Sequence, residues 1–368
     1  MDKQLMELLL QKHRATAPKI LLAAAECAPL SKTGGLADMA GGLPKALAEQ
    51  GFETRVITPY HRVVKERYGD RVQHLAYIYV DLGWRHEYAG LEKLELDGQI
   101  IYLVDSDYYF GDKIYRGGRP EVEQYAFFQR AVLEFIPMLD FEPEILSCND
   151  WHTAALPFLI KTQYQDRPQG RLKTVLTIHN LAFQGWLSFH DAKELLGVDE
   201  RYFSLDGINH RDYGNLLKAG CLFADRVNTV SPNYADEIRT PEFGEGLDGV
   251  LRARGGDVSG ILNGLDTTVF DPATDPELRF HYDAEHPEGK RKNKELLIAE
   301  LGLEIGTDTP IVAMVTRMTS QKGFDLVLNV LDQLMSRDVA FVLLGSGDAD
   351  YQNAMRDYES RYPGRVCA

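Results

Sequence analysis

Residues 20–38 read ILLAAAECAPLSKTGGLAD, and they join an apolar stretch to a turn with two glycines and then to a helical pattern. The stretch 20–25 is continuously apolar, which is typical of a strand buried on both faces of a sheet. After the turn, apolar residues recur at helical spacing from Leu36 to Leu47, and Asp38 lies in the first turn, where an acidic side chain is favourable. This segment therefore predicts a strand, a turn and a helix.

The same unit recurs along the chain. Further short apolar stretches, separated by helical patterns, lie at 55–58, 100–104, 144–148, 175–178, 226–230, 258–262, 311–315 and 340–344. Continuous apolar strands that alternate with helices imply parallel sheets covered by helices on both faces. The expected fold class is α/β, with doubly wound sheets.

The composition changes between Asp271 and Asn293, a segment rich first in Asp and Pro and then in basic residues. A new strand–helix–strand pattern begins at Ile311, which favours a linker between domains over a surface loop. Only two clear strands follow Asp271, whereas a doubly wound domain has about five or six, so we expect the second domain to be incomplete. The predicted organisation is an N-terminal extension with a short amphipathic helix at 1–18, a first domain at 19–270, a linker at 271–293 and a second domain at 294–368.

Composition and charge exclude several classes of partner and site. The 368 residues carry a formal net charge of −15, which repels nucleic acid and anionic membranes. No apolar run reaches the roughly 18–20 residues of a membrane span. The four cysteines are scattered and the ten histidines show no metal-ligand spacing, so we expect reduced thiols and no bound metal. We find no targeting pattern and expect a cytoplasmic protein of bacterial origin.

The turn after the first strand is a candidate ligand site. Gly34 and Gly35 let the backbone approach a ligand, the helix N-terminus behind them favours an anion, and Lys32 adds a positive charge. A tight turn with no ligand is the alternative. The segment is neither a Walker A motif nor the three-glycine dinucleotide motif, which argues against a dehydrogenase.

Polar residues and glycines follow other predicted strands, at the carboxyl ends where parallel sheets bind ligands. Each has a purely structural alternative, such as a core tryptophan at 151, a hydrogen-bonded structural histidine at 179, solvated surface charges or a plain turn. The candidates are Asp150, Trp151, His152, His179, Arg317, Lys322 and Gly345.

Five segments resemble, in the same order, the motifs of the bacterial glycogen synthase and plant starch synthase family. They are Lys32-Thr-Gly-Gly-Leu36, Asn149-Asp-Trp-His152, Thr177-Ile-His-Asn180, Asn263-Gly-Leu-Asp266 and Arg317-Met-Thr-Ser-Gln-Lys-Gly323. The resemblance implies two facing Rossmann-like domains with a deep cleft between them. It also implies transfer of glucose from ADP-glucose to the non-reducing end of an α-1,4-glucan (glycogen or a malto-oligosaccharide), with retention of configuration.

The resemblance also assigns roles to residues. Arg317 and Lys322 would bind the donor diphosphate in place of a metal ion and stabilise the charge that develops on the leaving group. His179 would present its backbone carbonyl to the anomeric centre. The implied donor-binding set is Lys32, Gly34, Gly35, Asp38, Asn180, Asn263, Arg317, Lys322 and Gly345, and the implied sugar cleft contains Asp150, Trp151 and His152.

The resemblance favours a front-face mechanism, in which the leaving phosphate accepts the proton of the acceptor hydroxyl. A covalent intermediate would instead need a carboxylate nucleophile, for which Glu26 and Asp150 are the candidates.

This sequence departs from the family pattern at its end. Full-length relatives continue past Ala368 with a motif rich in Glu, Pro, Cys and Gly that binds the donor, so we expect little or no turnover by this chain. Two other functions stay open: a related retaining transferase that uses UDP-glucose, and a non-catalytic glucan-binding fragment.

Overall fold

The computed structural model describes residues 17–368. The chain divides into two compact units between Leu265 and Asp266, a few residues before the boundary expected from composition. A helix at Glu288–Glu300 begins within the predicted linker, whose extent stays a prediction. The helix predicted in the N-terminal extension lies outside the described residues.

The first unit contains a nine-stranded sheet of order β12-β11-β7-β6-β1-β2-β5-β4-β3 and a small sheet of order β8-β10-β9. Its strands are β1 (Ile20–Ala23), β2 (Thr54–Pro59), β3 (Gln73–Leu82), β4 (Arg85–Leu96), β5 (Gln99–Asp105), β6 (Ile145–Asn149), β7 (Lys173–Ile178), β8 (Trp186–Leu187), β9 (Asn209–His210), β10 (Tyr213–Asn215), β11 (Arg226–Thr229) and β12 (Val258–Gly260). The expected α/β class is confirmed.

The expectation of parallel sheets is wrong at one edge of the large sheet and in the small sheet, where β10 is antiparallel to both β8 and β9. The strands from β12 to β5 run parallel, but β4 is antiparallel to both β5 and β3. Strands β3 and β4 form a hairpin whose residues alternate between buried and exposed over much of its length, unlike the central strands. A search for continuous apolar runs therefore does not find them.

Helices cover both faces of the central strands. They are α1 (Gly35–Glu49), α2 (Arg62–Tyr68), α3 (Gly118–Phe135), α4 (Trp151–Thr162), α5 (Phe189–Leu196), α6 (Leu216–Phe223), α7 (Pro232–Glu237) and α8 (Asp248–Ala253). The helix predicted after the two-glycine turn is confirmed as α1. Helix α4 is buried along its length from Trp151 to Ile160, so the residues at its N-terminus are held firmly in the core.

The second unit has a three-stranded parallel sheet of order β13-β14-β15. Its elements are α9 (Glu288–Glu300), β13 (Ile311–Val315), α10 (Phe324–Met335), β14 (Ala340–Leu344), α11 (Ala349–Arg361) and β15 (Val366–Cys367). Its small core includes Phe324, Leu331 and Phe341. Among the described helices of the whole chain, none is long and apolar enough to cross a membrane.

Candidate active site

The carboxyl ends of three neighbouring strands, β1, β6 and β7, meet at one edge of the large sheet. The amide of Asn149 links them: its nitrogen donates to the carbonyl of Ala23 (3.0 Å), and its oxygen lies 3.1 Å from Nε2 of His179. The loops that follow these strands therefore start side by side. Their predicted site residues are brought together by the fold.

Asp150 fixes the backbone at the end of β7. Its Oδ1 accepts hydrogen bonds from the backbone N–H groups of His179 (2.7 Å) and Asn180 (3.2 Å). Asp150 itself has a φ of 55°, which is uncommon for a residue other than glycine and is kept where the surroundings hold it. Burial raises the pKa of this carboxyl to about 6, against the opposing effects of His152 and of the two backbone donors.

The imidazole of His179 is half-buried and neutral at pH 7. Burial lowers its pKa to about 4, and its Nε2 lies within hydrogen-bond distance of Asn149. A ring already engaged inside the protein is a poor candidate for a general base. This geometry is compatible with the predicted role of the backbone carbonyl of His179, which stays a prediction.

Trp151 and His152 begin helix α4 and pack into an aromatic cluster. The ring of His152 lies 4.2 Å from that of Trp151, 4.4 Å from Tyr125 and 5.0 Å from Tyr115. Its Nε2 lies 3.7 Å from a carboxylate oxygen of Glu121. His152 is therefore an interior residue, and its predicted place in a sugar cleft stays a prediction.

The two-glycine turn is held by Glu26, which is buried. One carboxylate oxygen accepts hydrogen bonds from the backbone N–H (2.5 Å) and the hydroxyl (2.8 Å) of Thr33. Lys32 and Asp38 form an exposed ion pair at 2.6 Å. A Cβ added at Gly35 would meet no atom within 4 Å, so the fold itself does not require glycine there. A ligand that approaches the backbone would require it.

A cavity of about 440 Å³ in the first unit is lined by Trp151, which follows Asp150 in the chain, and by residues that follow the motif at 177–180. Trp151 lies at its wall, and a Cβ at Gly185 would come within 2.4 Å of the Trp151 ring, so this glycine is needed for the close approach. Most of the lining residues were not predicted from the sequence, although the run Phe183-Gln-Gly-Trp186, directly after the motif at 177–180, was a usable signal. The lining residues that were not predicted include Arg119, Phe183, Trp186, Asp191 and Tyr213.

In the second unit, the loops after β13 and β14 are joined by backbone hydrogen bonds. Met318 N donates to Ser346 O, and Asp348 N donates to Met318 O, both at 2.8 Å. A Cβ at Gly345 would lie 1.9 Å from the carbonyl oxygen of Thr316, so only glycine fits. The fold thus brings the loop of Arg317 next to that of Gly345.

Arg317 and Lys322 are exposed on this pair of loops. Within residues 17–368, neither side chain has a carboxylate partner. Lys322 ends a short 3-10 turn, and Gly323, with a φ of 73°, then leads into α10. The two cations are consequently available to an anionic ligand at the edge of the second sheet.

Asn263 is exposed in the loop after β12, near the end of the first unit. The described part of the chain contains no group of three or more His, Cys, Asp or Glu side chains that could hold a metal ion.

Comparisons with known proteins agree with one another. The family model of the starch synthase catalytic domain matches residues 19–253. A glycogen synthase of Streptococcus sanguinis is 44% identical over 351 residues, which are 95% of this chain and 74% of that protein. A glycogen synthase of Geobacillus stearothermophilus is 42% identical over 349 residues, with 95% and 72% covered. Among solved structures, the catalytic domain of starch synthase IV from Arabidopsis thaliana, bound to ADP and acarbose, superposes with a TM-score of 0.89 at 29% identity, over 96% of this chain and 74% of that one.

Proposed function

The chain belongs to the family of bacterial glycogen synthases and plant starch synthases, and on that premise we propose the reaction that it carries out. It is a glycosyltransferase that moves glucose from ADP-glucose to the non-reducing end of an α-1,4-glucan and retains the anomeric configuration. The acceptor is glycogen or a malto-oligosaccharide.

The acceptor end lies in the cavity of the first unit. Its wall combines aromatic rings (Phe183, Trp186 and Tyr213) with the charged pair Arg119 and Asp191, whose Nε and Oδ1 atoms are 2.8 Å apart. Aromatic faces pack against the apolar faces of sugar rings, and the charged groups can bind their hydroxyls. The solved starch synthase IV domain was bound to ADP and acarbose, which supports a saccharide as one of the ligands.

The donor diphosphate is bound by Arg317 and Lys322. Negative charge builds up on the phosphate oxygens as the bond to the sugar breaks, and fixed cations stabilise that charge most in the transition state. We propose that these side chains do so without a metal ion. The proposed donor-binding set is completed by Lys32, Gly34, Gly35, Asp38, Asn180, Asn263 and Gly345.

The reacting carbon carries positive, oxocarbenium-like charge in a glycosyl transfer. The backbone carbonyl of His179 supplies a negative dipole for it, and Asp150 is the positioning residue that holds this peptide in place. Glu26 is hydrogen-bonded to the turn at Thr33, which disfavours it as a covalent nucleophile. The leaving phosphate accepts the proton of the acceptor hydroxyl.

One observation carries the proposal: the buried Asp150 carboxylate fixes the peptides of His179 and Asn180, and the next residue, Trp151, lines a cavity with further aromatic rings. The bacterial relatives and the net charge of −15 support a cytoplasmic enzyme with no nucleic-acid or membrane partner.

The test of donor and reaction is incorporation of labelled glucose into maltoheptaose from ADP-glucose and, in parallel, from UDP-glucose. We expect incorporation from ADP-glucose, with the new linkage α-1,4. Incorporation from UDP-glucose alone would favour the related transferase. Glucan binding with no binding of ADP would favour a non-catalytic fragment.

A further inference from the structure

The outer face of the β3–β4 hairpin carries a row of exposed aromatic rings. Tyr79 and Tyr88 are cross-strand partners, and Tyr77 precedes Tyr79 on the same face. Trp84 lies in the connecting turn and is 83% exposed, whereas Tyr77 and Tyr79 are 61% and 53% exposed. These four residues, together with His86, are named here the aromatic hairpin face.

The rings of this face brace one another. Tyr77 stacks on Tyr88 with the ring centroids 6.0 Å apart, and Tyr79 stacks on His86 at 4.7 Å. His86 is fixed in turn by Asp81, whose Oδ1 lies 2.6 Å from Nδ1 of the imidazole. Because these rings are already held in place, the binding of a ligand costs less protein side-chain entropy.

These rings lie outside the hydrophobic core of the first unit. The inner face of the hairpin already buries Val80, Leu82, Ala89 and Leu91 in that core. Single exposed aromatic residues are common, but a contiguous exposed group is typical of a binding surface.

The charges around this face select the chemistry of the ligand. Asp81 lies on this face. Burial, and then Asp105 and Glu92, raise the pKa of the Tyr88 phenol; Lys65 acts in the opposite direction, but it is paired with Asp105 at 2.5 Å. Such surroundings repel phosphates and other anions. Flat rings with phenol hydroxyls at their edges suit a neutral, polyhydroxylated ligand, which packs its apolar face on the rings and hydrogen-bonds at their edges.

The turn of the hairpin adjoins the acceptor cavity. Arg85, whose guanidinium lies 5.0 Å from the Trp84 ring, bonds Glu194 through Nη1 and Oε1 at 2.9 Å. Arg119 Nη2 lies 3.5 Å from the other oxygen of Glu194, and Arg119 and Asp191 line the cavity. One ion-pair network therefore connects the wall of the cavity to the turn that carries Trp84.

From these contacts we propose that the aromatic hairpin face is an outer docking surface for the α-1,4-glucan chain whose end lies in the acceptor cavity. The inference rests on the proposed function and adds to it a preference for long acceptors. A short acceptor reaches only the cavity. A long chain contacts Trp84 as well, and this second contact raises the effective concentration of its end at the cavity.

The experiment uses the full chain and its Trp84→Ala and Trp84→Phe variants. Affinity for glycogen is measured by retardation in gels containing glycogen, and KM is measured for glycogen and for maltotriose. We expect Trp84→Ala to weaken retardation about tenfold and to raise the ratio of the glycogen KM to the maltotriose KM by a similar factor. Trp84→Phe, which keeps a ring, should restore most of the affinity.

The matched control is Met138→Ala, which shortens another exposed apolar side chain, 47% exposed, in the first unit. It should leave retardation and both KM values unchanged. Glycogen binding by Trp84→Ala equal to that of the unchanged chain would overturn the proposal, as would an unchanged chain that glycogen gels do not retard. A change of molecular mass in light scattering caused by Trp84→Ala would instead identify the face as a contact between two copies of the chain, and would also overturn it.

The two proposals fail separately. Retardation that depends on Trp84, with no glucose transfer from any donor, would support the docking surface and contradict the proposed function. Glucose transfer with the same ratio of glycogen KM to maltotriose KM in the unchanged chain and in Trp84→Ala would support the proposed function and contradict the docking surface.

Discussion

The two units present their candidate residues in opposite ways. In the first unit, Asp150 is buried and its carboxylate accepts a hydrogen bond from the backbone N–H of the half-buried His179, so the function of both residues depends on the folding of the sheet edge. In the second unit, backbone hydrogen bonds shape the loops, and Arg317 and Lys322 extend from them into solvent. Burial builds a rigid peptide geometry in the first unit. In the second unit, charge for an anionic ligand is supplied by exposed side chains that do not take part in packing.

The largest expected effect is the loss of the exposed cations. Replacing Arg317 or Lys322 by alanine should lower kcat/KM for glucose transfer about a thousandfold, because each removes charge stabilisation of the leaving diphosphate. The melting temperature should not change, since neither side chain packs against the described core. Kinetics with ADP-glucose and thermal unfolding of the same samples check both halves of the prediction.

Arg337→Ala is the matched control, because this exposed arginine lies before β14, away from the carboxyl ends of the strands. It should leave transfer intact. A fall equal to that of Arg317→Ala would show that overall charge, not a specific diphosphate site, governs the rate.

The next effect is that of Asp150→Ala, which leaves the backbone N–H groups of His179 and Asn180 without their buried acceptor. We expect kcat/KM to fall about a hundredfold and, unlike the cation variants, the melting temperature to fall by several degrees, since each unpaired buried donor costs about 1–3 kcal/mol. Asp150→Asn keeps an oxygen acceptor and should recover most of the stability. Unchanged stability in Asp150→Ala would contradict the coupling of fold and function in the first unit.

The pH dependence of kcat/KM tests whether ionised Asp150 is needed for activity. With its pKa raised by burial to about 6, Asp150 is ionised above that pH and becomes protonated below it. We expect kcat/KM to fall about tenfold per pH unit below 6, as for loss of one essential ionised group. His179, with a pKa of about 4, stays neutral in this range.

The contribution of Asp150 to the free energy of unfolding changes with pH in the opposite direction to kcat/KM. Because the folded pKa is raised above the ordinary value of 3.8, the fold favours the protonated form, and this stabilisation is lost as the pH rises from about 4 to 6. Asp150→Asn should remove both the fall in kcat/KM below pH 6 and this pH-dependent change in stability. If kcat/KM of Asp150→Asn still falls below pH 6, another group causes that fall.

The smallest effect on activity is expected at Gly35. Gly35→Ala places a methyl group where no protein atom lies within 4 Å, so stability should be kept while ADP binding weakens about tenfold, since a backbone approach is blocked. Gly345→Ala is the contrasting change, because its Cβ would lie 1.9 Å from the Thr316 oxygen and the loop must distort. Calorimetric titration with ADP and thermal unfolding distinguish them. Equal loss of stability in both would contradict the assignment of Gly35 to a ligand.

Much of this molecule could be predicted from its sequence. The strand at 20–23, helix α1 and the loops at Asp150, His179 and Arg317 follow from continuous apolar runs and from five motifs in the family order. The hairpin β3–β4 was missed because its burial alternates along much of its length, and alternation over one edge pair is a weak signal.

The cavity was also missed, for a different physical reason. Arg119, Trp186 and Tyr213 lie far apart in the chain and meet only after the helices pack on the sheet. Equally, no local pattern shows that the Asp150 carboxylate would bond the backbone of His179, although both residues were identified separately. Hydrogen-bond partners distant in sequence need the tertiary fold.

The most direct test of the central claim is transfer of labelled glucose from ADP-glucose to glycogen by the purified, folded chain and by its Arg317→Ala variant. The account predicts incorporation as α-1,4-linked glucose, however slow, that falls to near background in Arg317→Ala. An Arg317→Ala variant that transfers glucose at the same rate as the unchanged chain would contradict it.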